Sequence, residues 1–361
     1  YEIGVRLVGS EMCIRDSPAE AKQTTKFINH LKPKTTMTYL ENSKQYTGSD
    51  LENIFFRPML TGESAQDLGV RVLYNMPQPT HVQLWDGQRN ILQKFTSAGW
   101  AGGKAATKYE KTVNLNRVKA ELGFSAANYF SMVYEKVSSL VNTHMDDLSG
   151  TELEQAETAL FKQALAENIR VTMWIGDTSA ASGYNTFDGL LKRINGLVDD
   201  DGVYNFSYQA AALEDPAYVV ELFDKLWAGA DPRIPGLKAD DRLAYFVSSD
   251  IYRLYEKYLD AKGADAAYAD AMNGRRTLAY HGIPVVDVRL GSYLGATSFR
   301  QSFVMLTDRR NLVLAVNTAD MPGNEVRMWY NPDEMENRQR AVFMAGTQIL
   351  DEALISFAYK Q

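Results

Sequence analysis

Residues 151–169 read TELEQAETALFKQALAENI, and their spacing settles more of the fold than any other stretch. Thr151 and Glu154 stand three apart, as in a capping box, where hydroxyl and carboxylate each satisfy a backbone N–H at a helix start. Leu153, Ala156, Leu160, Ala164, Leu165 and Ile169 follow at helical spacing, which predicts one apolar stripe on a helix of about 151–170. Asp146, Asp147, Glu152, Glu154 and Glu157 cluster at its start, where the helix dipole favours negative charge. That acidic end has two readings: capping electrostatics, or a docking surface for something basic.

Working outward, VTMWIG (171–176) is short and apolar, so periodicity leaves a buried strand and a helix extension both open. GYNTFDGLLKRING (183–196) predicts a turn and a short helix closed by Gly196. On the other side of the long helix, HVQLW (81–85) and KTVNLNRVKAEL (111–122) both alternate. Asp86–Gly87 tolerates the positive φ of a hairpin turn, and SAGWAGGKAATKYEK (97–111) is rich in Gly and Ala. Residues 80–122 therefore predict a long two-stranded excursion, pliable around Trp100 to Lys104. A two-stranded ribbon is marginal alone and needs something to lie against.

Charge supports that need. The whole chain of 361 residues carries −7 and is 45% hydrophobic, enough for a sizeable core. Between Gly87 and Ala120, however, Arg89, Lys94, Lys104, Lys108, Lys111, Arg117 and Lys119 stand against Glu110 alone, a net of +6. The remainder is correspondingly more acidic, so a basic segment faces an acidic surface on this chain or on a copy of it. Lys94, Lys104, Lys108, Lys111, Arg117 and Lys119 are the candidate cations of such a contact. Asp146, Asp147, Glu152, Glu154 and Glu157 are the candidate anions. The net negative charge speaks against a surface given over wholly to nucleic acid.

Towards the N-terminus, residues 18–50 are polar and Thr-rich and read as an extended arm, whereas IFF (54–56) and VRVLY (70–74), bounded by Pro58, Pro77 and Pro79, read as strands. Beyond residue 205 the pattern becomes α/β. Asp215–Pro216 opens a helix filled by Val219, Val220, Leu222, Phe223, Leu226 and Trp227. RLAYFVSS (242–249) is a strand, and Asp250 is placed to cap the helix IYRLYEKYLDAK (251–262). IPVVDV, SFVML and NLVLAVN are further strands; VRMWYNP (326–332) and QRAVFMAG (339–346) predict a pair, and QILDEALISFAYK (348–360) returns apolar residues to a core.

Chemistry is scarce by comparison. There are four histidines (His30, His81, His144 and His281) and neither an HExxH nor a GxSxG motif. GWAGGKA (99–105) invites a phosphate-loop reading, but Ala98 and Ala105 stand where that motif needs Gly and Ser or Thr. In VDDDG (198–202) three consecutive aspartates cannot all face one ion from a regular element. Tyr252, Tyr255 and Tyr258 recur along one helix with only Arg253 and Lys257 as cations, which favours packing over base stacking. Asp250 and His281 are the residues around which an α/β enzyme would be built. No catalytic, cofactor-binding or metal-binding set is assigned, and no run of about 18 apolar residues suggests a membrane span.

The order of segments resembles the major capsid protein of tailed bacteriophages, the Hong Kong 97-type fold, with a fainter likeness to the crAss-like phages of the gut. The resemblance rests on KTVNLNRVKAELGFS leaving the ribbon, on TELEQAETALFKQALAENI running into MWIGDTSAASGYNTFDGLL, and on AYFVSSDIYRLYEKYLDAKG, LAYHGIPVVDV and EVRMWYNPDEMENRQRAVFMAGTQI. It implies an α+β fold with an N-terminal arm (18–50) and strands with an extended loop (51–122, the loop about 80–122). A peripheral domain with a spine helix (123–204) follows, then an axial α/β domain (205–316) and a return to the peripheral domain (317–361). It further implies self-assembly into hexamers and pentamers of an icosahedral head enclosing double-stranded DNA, with portal and scaffolding proteins as partners, DNA touched non-specifically, no membrane and no cofactor. Assembly would take place in the host cytoplasm. The alternatives are an encapsulin-like compartment shell and, from another class, the enzyme at Asp250 and His281.

The first 17 residues stand apart. LVGSEMCIRDS (7–17) back-translates in one frame to a transposase adapter used in sequencing libraries, so residues 1–17 are expected to be a non-native scar. Setting them aside removes Cys13, the only cysteine, and with it disulfides and thiolate chemistry. A chain without cysteine suits a reducing compartment.

Overall fold

The computed structural model describes residues 44–47, 70–76, 80–85, 108–125, 152–198, 202–262, 278–293, 301–317, 324–331, 333–334 and 336–361. The adapter-like stretch, most of the arm, Lys94, Lys104, the Gly-rich 99–105, Asp146, Asp147, and Asp199 to Asp201 lie outside the described residues.

Five strands precede the long helix: β1 (Lys44–Tyr46), β2 (Arg71–Tyr74), β3 (Thr80–Trp85), β4 (Lys108–Val113) and β5 (Asn116–Ser125). Helix α1 (Glu152–Ile175) absorbs VTMWI as its last turns and stops before Gly176, which settles the open choice there. Val171, Met173, Trp174 and Ile175 are all buried, because this end of the helix lies between two sheets and has no face left for water. Earlier along α1 the buried stripe is Phe161, Leu165 and Ile169, while Ala164, expected on it, is exposed. Helix α2 (Leu190–Asn195) follows and ends at Gly196.

The second half alternates as expected. It comprises β6 (Tyr204–Tyr208), α3 (Tyr218–Ala228), α4 (Ile234–Lys238), β7 (Leu243–Val247), α5 (Ser249–Ala261), β8 (Leu278–Tyr280), β9 (Ile283–Asp287), β10 (Phe303–Asp308), β11 (Leu312–Asn317), β12 (Glu325–Asn331), β13 (Glu336–Ile349) and β14 (Ile355–Lys360). The N-cap of α5 is Ser248 rather than Asp250; Asp250 lies in the first turn, and its carboxylate accepts from the Ser248 hydroxyl. The tyrosines of α5 are packing residues: Tyr255 is buried and donates to the Ala279 carbonyl at 2.9 Å, with Tyr252 and Tyr258 half-buried beside it.

Two sheets organise these elements. The first runs β1-β12-β13-β11-β2, with β5 also paired to β13. Strand β13 is its axis: β12 pairs with 336–342, β11 takes over at 344–349, and β5 pairs with 336–345. The second sheet runs β6-β14-β10-β7-β9-β8. Every residue of β7 is buried, as a strand covered on both faces requires. Leu243, Tyr245 and Val247 join the core under α3 and α5, whereas Ala244 and Phe246 join the core shared with α1 and the first sheet. Trp174 of α1 meets Phe246 and Phe303 at ring distances of 5.7 and 6.3 Å.

The expected boundary at residue 317 does not separate the sheets. Strand β11 (312–317), assigned from sequence to the axial part, pairs with β13 and β2 in the first sheet. Strand β14, assigned to the return, lies between β6 and β10 in the second. The turn at Arg309–Asn311 carries the chain from one sheet to the other. Asn311 fixes that crossing by donating to the Asp351 carbonyl at 2.8 Å and accepting from the Asp351 N–H at 2.7 Å.

Candidate inter-subunit surface

The basic excursion takes shape from its root. THVQLW and KYEKTV pair antiparallel, from Thr80 opposite Val113 to Trp85 opposite Lys108. A tight hairpin at Asp86–Gly87 would set Trp85 beside Gln88; Trp85 faces Lys108 instead, and residues 86–107 lie outside the described residues. The two-stranded part ends sooner than expected, because from Asn116 onward the chain is β5, a strand of the first sheet. At the root Val82, Val113 and Leu115 are buried with Leu73, Val313, Ala315 and Leu350 in a small core of their own.

Polar contacts hold the root in place. Gln348 Nε2 donates to the Thr112 carbonyl at 2.9 Å, and Lys111 Nζ meets Glu352 Oε1 at 2.7 Å. On the far side of the same strand pair, Glu110 Oε1 lies 3.0 Å from His81 Nδ1. Where β4 gives way to β5, the Asn114 carbonyl presses so close to Gly346 that a Cβ there would stand 2.2 Å from its oxygen. Only glycine lets the two backbones approach this closely.

The candidate cations thus divide. Lys111 is paired with Glu352 and Lys119 with Glu121, at 2.7 and 2.8 Å, both within the chain. The Lys119 ammonium, hydrogen-bonded to Glu121, holds that carboxyl below the usual range, and Arg340 and Arg338 add to the effect. Arg117 is exposed on β5, and Lys108 stands at the outer end of the described ribbon. Glu152, Glu154 and Glu157 lie in the first two turns of α1. Glu352, Gln348 and Gly346, which position the ribbon, carry no local sequence signal; Lys111 and Glu352 are 241 positions apart. Beside Lys119 and Glu121, β5 and α1 enclose a groove of about 590 Å³ with Phe161, Leu165, Ile169 and Phe343 among its lining.

Asp250 and His281 do not form a site. Asp250 follows the C-terminal end of β7, and His281 precedes the N-terminal end of β9, which runs parallel to β7. They therefore stand off opposite ends of the sheet. His281 is exposed in a tight turn with φ of 48°. Among the described residues no group of three or more His, Cys, Asp or Glu could hold a metal ion, and no described helix is long and apolar enough to cross a membrane.

No family model and no curated protein matches the sequence. Solved structures do. A chain of the satellite phage P4 procapsid, an assembly that includes the size determination (Sid) protein, is similar with a TM-score of 0.54 at 10% identity, over 84% of this chain and 97% of that one. More distant are the capsid of the Myoviridae phage XM1 (TM-score 0.45, 12% identity, 82% and 91% covered) and the SrpI encapsulin complex of Synechococcus elongatus (0.42, 9%, 80% and 84%). Two sheets about a long helix, a two-stranded ribbon and a similarity that spans 97% of the P4 procapsid chain together define the fold. The chain has the α+β Hong Kong 97-type capsid fold.

Proposed function

We propose that this protein is the major capsid protein of a tailed bacteriophage, assembling through hexamers and pentamers into an icosahedral head around double-stranded DNA. The observation that carries this reading is the fold similarity to the P4 procapsid chain, which spans 97% of that chain and 84% of this one. Its role is structural rather than catalytic, its location the virion, and its first partner a second copy of itself. Portal and scaffolding proteins and the packaged DNA complete the partner set, and the host cytoplasm is the place of assembly.

The ribbon makes the inter-subunit contact, Lys94, Lys104 and Lys108 of the basic segment meeting the acidic cluster Asp146, Asp147, Glu152, Glu154 and Glu157 of a neighbour. Lys119 lines the groove along α1, and with Arg117 on the same strand it would extend the contact. Complementary charge steers such encounters and is screened over about 8 Å at physiological ionic strength, so early assembly weakens in high salt. Electron microscopy of the purified protein over a range of concentration and salt tests the reading: shells, rings or capsomers are expected. A chain that stays monomeric throughout, or closed particles loaded with an enzyme cargo, would remove it. Reversal of Lys94, Lys104 and Lys108 to Glu should abolish particles while leaving the monomer folded.

A further inference from the structure

We propose that the Lys111–Glu352 pair, together with Gln348 and the close approach at Gly346, is a latch that fixes the pose of the ribbon β3–β4 on the body of its own subunit. On its β4 side the ribbon joins the first sheet at Asn114–Leu115, and there one hydrogen bond, one ion pair and one close backbone approach are all made to a short stretch, Gly346 to Glu352. The Asn114 carbonyl rests on Gly346, the Thr112 carbonyl accepts from Gln348, and Lys111 reaches Glu352. These three contacts fall on two positions of β13 and one in the turn that follows it, so together they constrain rotation as well as distance.

Charge is apportioned to suit. Asp351 is taken by Arg233, whose Nη1 lies 2.8 Å from its Oδ2, which leaves Glu352 as the carboxylate for Lys111. The pair borders a cleft of about 320 Å³ lined also by Glu110, Gly202, Val203 and Leu350. Beneath it the small core of Val82, Val113 and Leu115 acts as the fulcrum, and the ion pair lies outboard of it. Lys111 is therefore a positioning residue of its own subunit, and not a contact to the next one. The assignment makes the orientation of the ribbon a property of the unassembled chain.

Three variants test this: Lys111→Glu, Glu352→Lys and the double swap K111E/E352K. Hydrogen exchange of the 110–113 amides is read on unassembled protein, with the amides of α5 as a control for an intact core. A half-exposed pair contributes modestly, so each single variant should speed exchange at 110–113 by about two- to fivefold, and the double swap should return it to the parental rate. Particle yield should follow the same pattern, falling in the singles and recovering in the double. Unchanged exchange in both singles, or a double swap that exchanges as fast as they do, overturns the latch. Exchange that recovers while particles do not would place Lys111 or Glu352 at an inter-subunit contact and overturn its assignment to one subunit. Because exchange is measured without assembly, failure of the latch is distinguishable from failure of the capsid reading.

Discussion

Arg170 Nη1 donates to the Val288 carbonyl across 2.8 Å, so a buried cation of helix α1 is seated on the backbone that leaves β9. A second bond from Nη1 reaches the Arg289 carbonyl at 3.3 Å, and Nη2 meets Glu167 Oε1 at 2.6 Å. The Tyr293 hydroxyl donates to that same carboxylate oxygen at 2.9 Å. Hydrogen bonding from Arg170 holds the Glu167 carboxyl below its usual range against the opposing pull of burial, and the Tyr293 hydroxyl helps. One guanidinium thereby joins the spine of the first layer to the loop of the second.

Arg170→Met should destabilise the chain by about 1–3 kcal/mol, the cost of leaving buried carbonyls without a donor. Arg170→Lys should recover only part of this, because an ammonium lacks the planar fork that serves carbonyl and carboxylate together. Chemical denaturation of the unassembled protein measures both. A loss below about 0.5 kcal/mol for the methionine variant would show that the carbonyls find other donors.

Trp174 offers a contrast of size with polarity. Its ring is fully buried between Phe246 and Phe303, yet its indole N–H has no hydrogen-bond partner. Trp174→Ala should cost about 3–5 kcal/mol. Trp174→Phe removes the unpartnered donor along with some volume and should cost well under half as much. Equal losses in thermal melts of the two variants would mean that shape alone matters there.

At Gly346, substitution by alanine should cost about 1–3 kcal/mol, because the new methyl meets the Asn114 oxygen and one backbone must shift. The loss should come with faster hydrogen exchange at 111–115 than in the second sheet. Uniform loosening of both regions would separate Gly346 from the ribbon.

Acid should loosen the loop between α1 and α2. Hydrogen bonds from Lys192, then from Ser179, bring the Asp177 carboxyl from its ordinary 3.8 to about 2. At Asp188 burial pushes upward, but Lys192 and Thr178 outweigh it and the net direction is down. A depressed folded-state pKa stabilises above the unfolded value, and the contribution is lost as pH falls through it. Stability should therefore drop between about pH 4 and pH 2, and Lys192→Met should flatten that part of the profile of thermal midpoint against pH. An identical acid slope in the two proteins would count against the pairing.

Local order was legible in the residues, while assignment to a sheet was not. LAYFV and NLVLAVN declare themselves as strands by unbroken apolar runs, but nothing in either says that β7 belongs to one sheet and β11 to the other. That choice is made at the Asn311 crossing by hydrogen bonds to Asp351, 40 positions away. VTMWIG was ambiguous for a related reason: burial on all sides erases the period that distinguishes helix from strand. The charge map pointed to the ribbon, yet Lys111 finds its partner in Glu352, and local spacing cannot reveal such a pair.

The insertion of β14 between β6 and β10 bears on when the second sheet can close. Tyr204 pairs with Ser356, about 150 residues on, which is roughly 8–30 s of translation at about 5–20 residues per second. Until Lys360 has left the ribosome, β6 has no neighbour in its sheet and the face it shares with α3 stays open. The second sheet therefore closes late in synthesis, its edge strand waiting on a segment made about 150 residues after it.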